Sequence, residues 1–325
     1  MEAISNIIGL YNQNQHHKIN QAECEDSESQ EKQSNQDTIF TSKEIQERGY
    51  KYSKDPEPPK RCKYCGKDLY QKGVVMPMMD RVVAWISHER CTCNKATDYW
   101  ERYDNKKKEI AERERLEEES RKKRERIERL LGNSGIKKRF QNRTFKNYEI
   151  DQGNKDAYRN SKLYAENFQR FKETGEGIYF SGGFGTGKTH LAVSIALDLI
   201  NKGTPVICMT AIDLLAQIRK TYDKDRNVSE YQILQVYKEV DLLVIDDLGK
   251  EYCSDWAATM LYDIINDRYE RCLPTIVTTN YDDEKLVDRL ARKSNYETAG
   301  AIVSRLHEMT MGITMNGKDR RKERS

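Results

Sequence analysis

The sequence lacks any apolar run approaching the roughly 18 residues that would read as a membrane-spanning helix. Its amino terminus also lacks a basic start followed by an apolar stretch, the pattern of a secretory signal, so a soluble cytoplasmic protein with no membrane partner is expected. No charge sign dominates. The 56 Lys and Arg against 53 Asp and Glu leave a net +3, too near neutral for the total to argue for nucleic-acid binding, which must rest on local clusters. Apolar residues are scarce at 37% while charged residues reach 34%, so part of the length is expected to be solvated arm. The 325 residues still suffice for two domains, at least one with a substantial core.

Eight cysteines are present, Cys24, Cys62, Cys65, Cys91, Cys93, Cys208, Cys253 and Cys272, and four of them crowd into 32 residues. In a reducing compartment such crowding argues for metal rather than disulfides. Residues 1–50, rich in Gln, Asn, Ser, Glu and Lys, cannot bury enough apolar surface to fold alone and read as a disordered leader. Within it Ile4, Ile7, Ile8 and Leu10 could line one face of a short partner-docking helix. Residues 51–97 read as a zinc-binding module. Cys62-x-x-Cys65-Gly66 has the form of a zinc knuckle, the glycine letting the backbone curl so that amides face the thiolates. A small β-hairpin, residues 74–76 and 82–86, then leads to Cys91-Thr92-Cys93. The thiolates of Cys62, Cys65, Cys91 and Cys93 suit a closed tetrahedral Zn²⁺ site, with His88 as an alternative ligand in place of Cys91 or Cys93. Free buried cysteines are the plainer alternative. A redox pair is disfavoured because nothing resembles a thioredoxin-type βαβ unit.

Residues 98–131 carry 12 Lys or Arg and 11 Asp or Glu, open with an Asp98-x-x-Glu101 capping pattern and stop at Gly132-Asn133. Opposite charges at helical spacing predict a helix of up to about 50 Å, with apolar residues too sparse for a sustained a/d seam. Residues 98–133 thus read as a charged helical linker, with residues 106–108 and 121–126 as an alternative nucleic-acid contact.

From Ser134 to Ser325 the pattern alternates. Strands are expected at 205–209, 241–245, 275–278 and 312–315, and helices at 211–222, 257–269, 283–292 and 298–309, which predicts a three-layer α/β sandwich with a parallel sheet. In residues 177–200 a short apolar strand enters a glycine-rich turn and leaves as an amphipathic helix. Gly182-x-x-x-x-Gly187-Lys188-Thr189 fits the spacing of a nucleotide-binding P-loop. Its backbone amides, from Gly182 and Gly183 through Phe184, Gly185 and Thr186 to Gly187, with Lys188, Thr189 and His190, make the expected phosphate contacts at a helix amino terminus. Thr189 would hold Mg²⁺. In residues 242–249, LLVIDDLG, a buried strand carries two carboxylates to the end where ligands bind in open α/β sheets. Asp246 would orient Mg²⁺ or its waters, and Asp247 would polarise the attacking water. Asn280, closing the strand of Thr278-Thr279-Asn280, is a candidate for sensing the γ-phosphate.

P-loop, IDDLG, the TTN of IVTTNY and Ser304-Arg305-Leu306, in that order, resemble the AAA+ ATPases of the DnaC/DnaI and IstB group, which includes the bacterial replicative helicase loaders. The lead-in Ile136-Lys137-Lys138-Arg139-Phe140 with Thr144-Phe145 and Tyr148, the helix bearing Trp256, Leu261-Tyr262 and Arg268-Tyr269, and the closing Asn316-Gly317-Lys318-Asp319 extend the resemblance to roughly residues 134–320. The cysteine module resembles the zinc-binding, helicase-contacting domain of DnaI-type loaders. The resemblance implies a sheet with the Asn280 strand between the P-loop and Asp246 strands, ATP as substrate, and ATP-dependent self-association in which an arginine completes the neighbouring site. Arg305 matches that position, with Arg289 and Arg268 as competitors. No extra C-terminal helical lid is legible, so slow, partner-stimulated ATP hydrolysis is expected.

The resemblance therefore implies a loader that places a hexameric replicative DNA helicase on single-stranded DNA, with the zinc module as its grip. Lys318, Arg320, Arg321, Lys322 and Arg324 form a basic tail that could contact the DNA electrostatically. The alternatives are an IstB-like transposition helper, and an ATP-switched adaptor with little hydrolysis. Phe145 and Tyr148 are the adenine-contact candidates.

Overall fold

A computed structural model describes residues 38–132, 134–222, 228–251, 254–291, 295–317 and 319–320. The candidate docking residues Ile4, Ile7, Ile8 and Leu10, together with Cys24, Cys253, Lys318, Arg321, Lys322 and Arg324, lie outside them. The chain divides into two compact units, residues 1–112 and 113–325.

The described part of the first unit runs β1 (Ile39–Thr41), α1 (Ser42–Glu47), β2 (Lys60–Arg61), β3 (Asp68–Leu69), β4 (Gln71–Met76), β5 (Arg81–His88) and the start of α2 (Asn94–Leu131). Strands β4 and β5 make the expected hairpin, and β1 adds to it antiparallel, with Ile39 opposite Val74. Residues 39–47 thereby correct the expectation of a disordered leader. The cause is local and invisible in a 50-residue composition. Thr41 and Glu44 form a reciprocal capping box that starts α1, and Ile45, fully buried, sits over Gly73, where a Cβ would come within 2.7 Å of Ile45 Cδ1. Val75, Val82 and the flank of Trp85 complete this small core. Helix α2 starts at Asn94, one turn before the expected Asp98, because the Cys93 carbonyl already accepts from the amides of Ala96 and Thr97.

The second unit continues through α3 (Lys155–Glu166), α4 (Phe168–Thr174), β6 (Gly177–Gly182), α5 (Lys188–Asn201), β7 (Val206–Thr210), α6 (Ala211–Arg219) and α7 (Glu230–Glu239). It ends with β8 (Leu242–Leu248), α8 (Asp255–Glu270), β9 (Thr275–Thr279), α9 (Asp283–Leu290), α10 (Tyr296–Glu308) and β10 (Thr310–Met315). The strands form one parallel sheet in the order β10-β6-β9-β8-β7, so β9 lies between the P-loop strand and the Asp246 strand as the resemblance implied. Alternation of side chains along each strand divides the core in two. Ile178 and Phe180 pack with Leu191, Ile195 and Tyr164 on one face, while Tyr179, Ile207, Leu243 and Val277 pack with helices α6 to α10 on the other. This is a three-layer α/β domain.

Helices α3, α4 and α7 were not anticipated. For α7 a signal existed, since Ser229 and Gln232 form a capping box. The expectation that the whole charged helix is a solvated arm fails at its carboxyl end. There Ile127 is buried in the second unit, Lys123 Nζ lies 2.6 Å from Asp241, and Arg126 Nη1 lies 2.7 Å from Glu239.

Asp241, 2% exposed, also receives Lys172 Nζ at 2.6 Å. Beside it, Arg268 is fully buried and ties its own helix to two segments, residues 237–240 and 274–275. Its guanidinium donates to the carbonyls of Tyr237 (3.0 Å), Val240 (2.8 Å) and Pro274 (2.5 Å) and to Thr275 Oγ1 (2.9 Å). Burial pulls its pKa down, opposed by the Asp241 carboxylate. Removing the guanidinium leaves Asp241 short of one cation and several carbonyls without donors. Arg268→Leu is therefore expected to destabilise the fold by about 3–5 kcal/mol, read as a lowered urea midpoint. A midpoint within experimental scatter of wild type would show the residue to be a passive filler.

Candidate functional site

At the carboxyl ends of β6, β8 and β9 the second unit holds a cavity of about 310 Å³, lined by the P-loop from Phe184 to His190 and by Asp247 and Asn280. Two glycines shape the loop. Gly182 sits at φ +131° with Met315 O against its α-carbon, and Gly187 sits at φ +101° with the Tyr148 hydroxyl where a side chain would be. Lys188, opening α5, is 5% exposed. Its ammonium donates to Gly182 O (2.8 Å), Gly183 O (2.6 Å) and Asn280 Oδ1 (2.8 Å), so lysine and sensor amide meet in one site.

Asp246 lies behind the cavity wall, reached through Thr189, whose Oγ1 donates to Asp246 Oδ1 at 2.8 Å. Thr278 Oγ1 donates to the same oxygen at 2.7 Å and accepts from the Asp247 amide at 2.9 Å. Burial raises the pKa of Asp246 above the usual carboxylate range. The Thr278 and Thr189 hydroxyls work against that shift, as a bound cation would. Successive strand residues face opposite ways, yet Asp246 and Asp247 serve one site, because Asp247 adopts φ +58° at a register shift between Ile245 and Leu248. An aspartate tolerates this left-handed conformation better than a longer or branched residue. Its carboxylate takes Lys250 Nζ at 2.8 Å, with Asn280 Nδ2 at 3.5 Å.

His190 lines the cavity with both ring nitrogens engaged. Nε2 donates to Thr144 O at 3.0 Å, and Nδ1 lies 3.3 Å from Arg143 Nη1. The histidine thereby fastens the lead-in segment to the P-loop helix. Of the two adenine candidates, Tyr148 lines the cavity and Phe145 does not. Burial pushes the Tyr148 phenol up to about 12. Cavity residues that the sequence did not mark as site residues are Arg139, Phe140, Arg143, Asn147, Glu149 and Lys250. The lead-in motif was the available signal for Arg139 and Phe140. Arg320, expected in a DNA-binding tail, instead lines this cavity, donates to Glu149 O and Asp151, and lies 5.4 Å from the centre of the Tyr148 ring.

Arg305 is not among the cavity residues of its own chain. It donates to Asn266 Oδ1 (2.7 Å) and Tyr262 Oη (3.2 Å) on α8. Arg289 donates to Gly249 O and lies over the Tyr281 ring. Arg268, buried as a strut, has no surface to offer a neighbouring subunit.

In the first unit the Sγ atoms of Cys62, Cys65, Cys91 and Cys93 all lie within 4.8 Å of one another, with those of Cys65 and Cys91 3.4 Å apart. A tetrahedron of thiolates about 2.3 Å from a zinc ion has edges of about 3.8 Å, so the set fits such an ion. The Tyr64 and Cys65 amides hold the Cys62 thiol down to about 6, favouring the thiolate. His88 is engaged elsewhere, with Nε2 3.1 Å from Pro58 O, which removes it as a ligand in this arrangement.

The family model described as "IstB-like ATP binding protein" matches residues 91–325. The chain is 34% identical over 173 residues to a protein named replicative helicase loader DnaC from Buchnera aphidicola subsp. Baizongia pistaciae, covering 50% of this chain and 69% of that one. It is 31% identical over 168 residues to the protein of the same name from Escherichia coli K12, covering 51% and 67%. A crystal structure of the DnaC helicase loader aligns with TM-score 0.47 at 28% identity, covering 55% of this chain and all of that one.

Thr278 is a further residue of this site that the sequence did not single out. Thr278→Val keeps shape but removes the hydroxyl shared by both aspartates. It is expected to lower kcat for ATP about 10–100-fold with ATP affinity within about threefold of wild type. An unchanged kcat would show the carboxylates to be held without it.

Proposed function

Because the chain belongs to the family of IstB-like ATP binding proteins, we propose that it loads a hexameric replicative DNA helicase onto single-stranded DNA, using ATP to control grip and release. The observation that carries this reading is an ATP site joined in one chain to a separate four-cysteine module, within a chain similar to proteins named helicase loaders. In the second unit Lys188 and the P-loop amides would bind the phosphates. Thr189 and Asp246 would hold Mg²⁺, which when bound neutralises charge on the phosphate oxygens. Asp247 and Asn280 would position the attacking water. The Lys250 ammonium on Asp247 supports slow turnover until a partner rearranges the site. Arg305, outside its own cavity, is available to a neighbouring subunit's ATP, which supports self-association through the ATPase domain. In the first unit Cys62, Cys65, Cys91 and Cys93 would hold Zn²⁺, worth on the order of 10–16 kcal/mol of apparent binding that doubles as folding energy.

A transposition helper of the IstB kind is the second reading, favoured by the family description alone. The cysteine module ahead of the ATPase, resembling the helicase-contacting domain of DnaI-type loaders, supports the loader.

Metal analysis of purified protein is expected to give one zinc per chain, falling to near zero in a Cys62→Ser/Cys65→Ser variant. Well under one equivalent in wild type would defeat the zinc assignment. Native mass spectrometry of the chain with its host's replicative helicase is expected to show a complex, lost when residues 1–93 are removed. Protein that contains zinc and binds ATP yet forms no complex under any nucleotide condition would move the assignment to the transposition helper.

A further inference from the structure

The first unit carries a surface feature that neither the ATP site nor the cysteine cluster uses. Tyr99 and Tyr103, one turn apart on α2, hold their rings 6.4 Å apart at only 23°, and Tyr64 of the Cys62–Cys65 knuckle stands 6.4 Å from Tyr99. All three tyrosines are exposed, at 40% to 47%. Trp100 buttresses the pair edge-on, 5.2 Å from Tyr99 and 5.6 Å from Tyr103, and is itself covered by Arg90, which is locked to Asp104. The rings are therefore held in place before any ligand arrives. Lys63 adds its ammonium 4.8 Å from the Tyr64 ring and 4.4 Å from the Tyr99 ring.

On the helix face that carries Tyr99 and Tyr103, the charged residues of 94–110 are of one sign. At about 100° per helical residue, the arc within about 60° of Tyr99 carries, over residues 94–110, Lys95, Arg102, Tyr103 and Lys106 and no carboxylate. Asp98, Glu101, Asp104 and Glu109 fall outside it. Lys63, Lys95, Arg102 and Lys106 are exposed, and among the described residues none is in an ion pair. On a helix where charges of both signs otherwise alternate and pair, this arc stands apart. A protein-docking patch is rich in aromatics but depleted of lysine, whereas stacking rings bordered by unpaired cations are what a single-stranded polynucleotide requires.

We propose that the face formed by Tyr64, Tyr99 and Tyr103 with Lys63, Lys95 and Lys106 binds single-stranded DNA, its bases stacking on the tyrosines and its phosphates meeting the cations. The 6.4 Å spacing of the near-parallel Tyr99 and Tyr103 rings is close to two steps of about 3.4 Å between stacked bases, so these two tyrosines match alternate bases, while Tyr64 is tilted 53° to Tyr99 beside them. The site lies on the cysteine module and does not rest on the helicase reading, since DNA could bind here whichever partner the ATPase serves.

The test is fluorescence anisotropy of the full chain with labelled oligo-dT of about 15 nucleotides, across a salt series. Tyr99→Ala/Tyr103→Ala is expected to weaken binding about 10-fold or more, Tyr99→Phe/Tyr103→Phe to stay within about twofold of wild type, and an abasic strand to bind wild type as poorly as the Ala variant binds oligo-dT. Lys95→Gln/Lys106→Gln should flatten the log–log salt slope by about 1.4. Zinc content and ATP turnover of each variant check that it is folded. An Ala variant that binds oligo-dT like wild type overturns the proposal. So does one that keeps oligo-dT but loses the helicase complex, which would make the face a protein contact. A folded Phe variant as weak as the Ala variant overturns the stacking role as well.

Discussion

The shared hydroxyl of Thr278 is the constraint on which the nucleotide site depends. It donates to the Asp246 carboxylate and accepts from the Asp247 amide, so one atom on β9 fixes both acidic residues of β8. It can do so only because β9 lies beside β8, and that order also puts Asn280 within 2.8 Å of Lys188 on the far side. A sheet with β9 at an edge would scatter these groups. Strand order here is a chemical requirement as much as a packing solution.

Around that centre, charge is buried in a graded way. Asp241 and Arg268 lie deep in the second unit, where guanidinium, lysine ammoniums and backbone carbonyls satisfy one another and join segments that no strand pairing connects. Such arrangements are costly to leave half-made, which favours one geometry over neighbouring ones. Among the described residues of the first unit the amount of apolar core is small: Ile45, Val75 and Val82 are the buried residues of one cluster, and Cys62, Cys91 and Ala96 those of the other. A module with so little core needs a further tie, and four converging thiols are positioned to supply one.

Much of the site was legible from the sequence because phosphate binding imposes fixed spacings on the chain. Gly182 to Thr189, Asp246, Asp247 and Asn280 each stand at the end of a strand that the apolar pattern also marks, and chemistry and periodicity agreed. The hairpin before Cys91 and the convergence of the four cysteines were likewise legible in spacing and alternation. Contacts that depend on tertiary approach were not. Thr278 looks like one threonine among several in a strand. Arg320 looks like part of a basic tail until the fold brings it over Tyr148. Arg268 looks like a surface residue at the end of an amphipathic helix, yet it is fully buried, because the carbonyls it serves come from residues 237–240 and 274. The ordering of residues 39–47 was hidden for a different reason: a capping box and one buried isoleucine outweigh the composition of the fifty residues in which they sit.

The ammonium of Lys188 is already surrounded by Gly182 O, Gly183 O and Asn280 Oδ1. An anion that takes this lysine must replace several protein oxygens at once, and a single small ion offers too few acceptors at too few points in space to do so. A polyphosphate chain carries acceptors in series and meets the loop amides together with the lysine. The loop thus screens its ligands by how many anionic oxygens they bring, and the abundant simple anions of a cell are poor competitors for the place that a nucleotide tail can take.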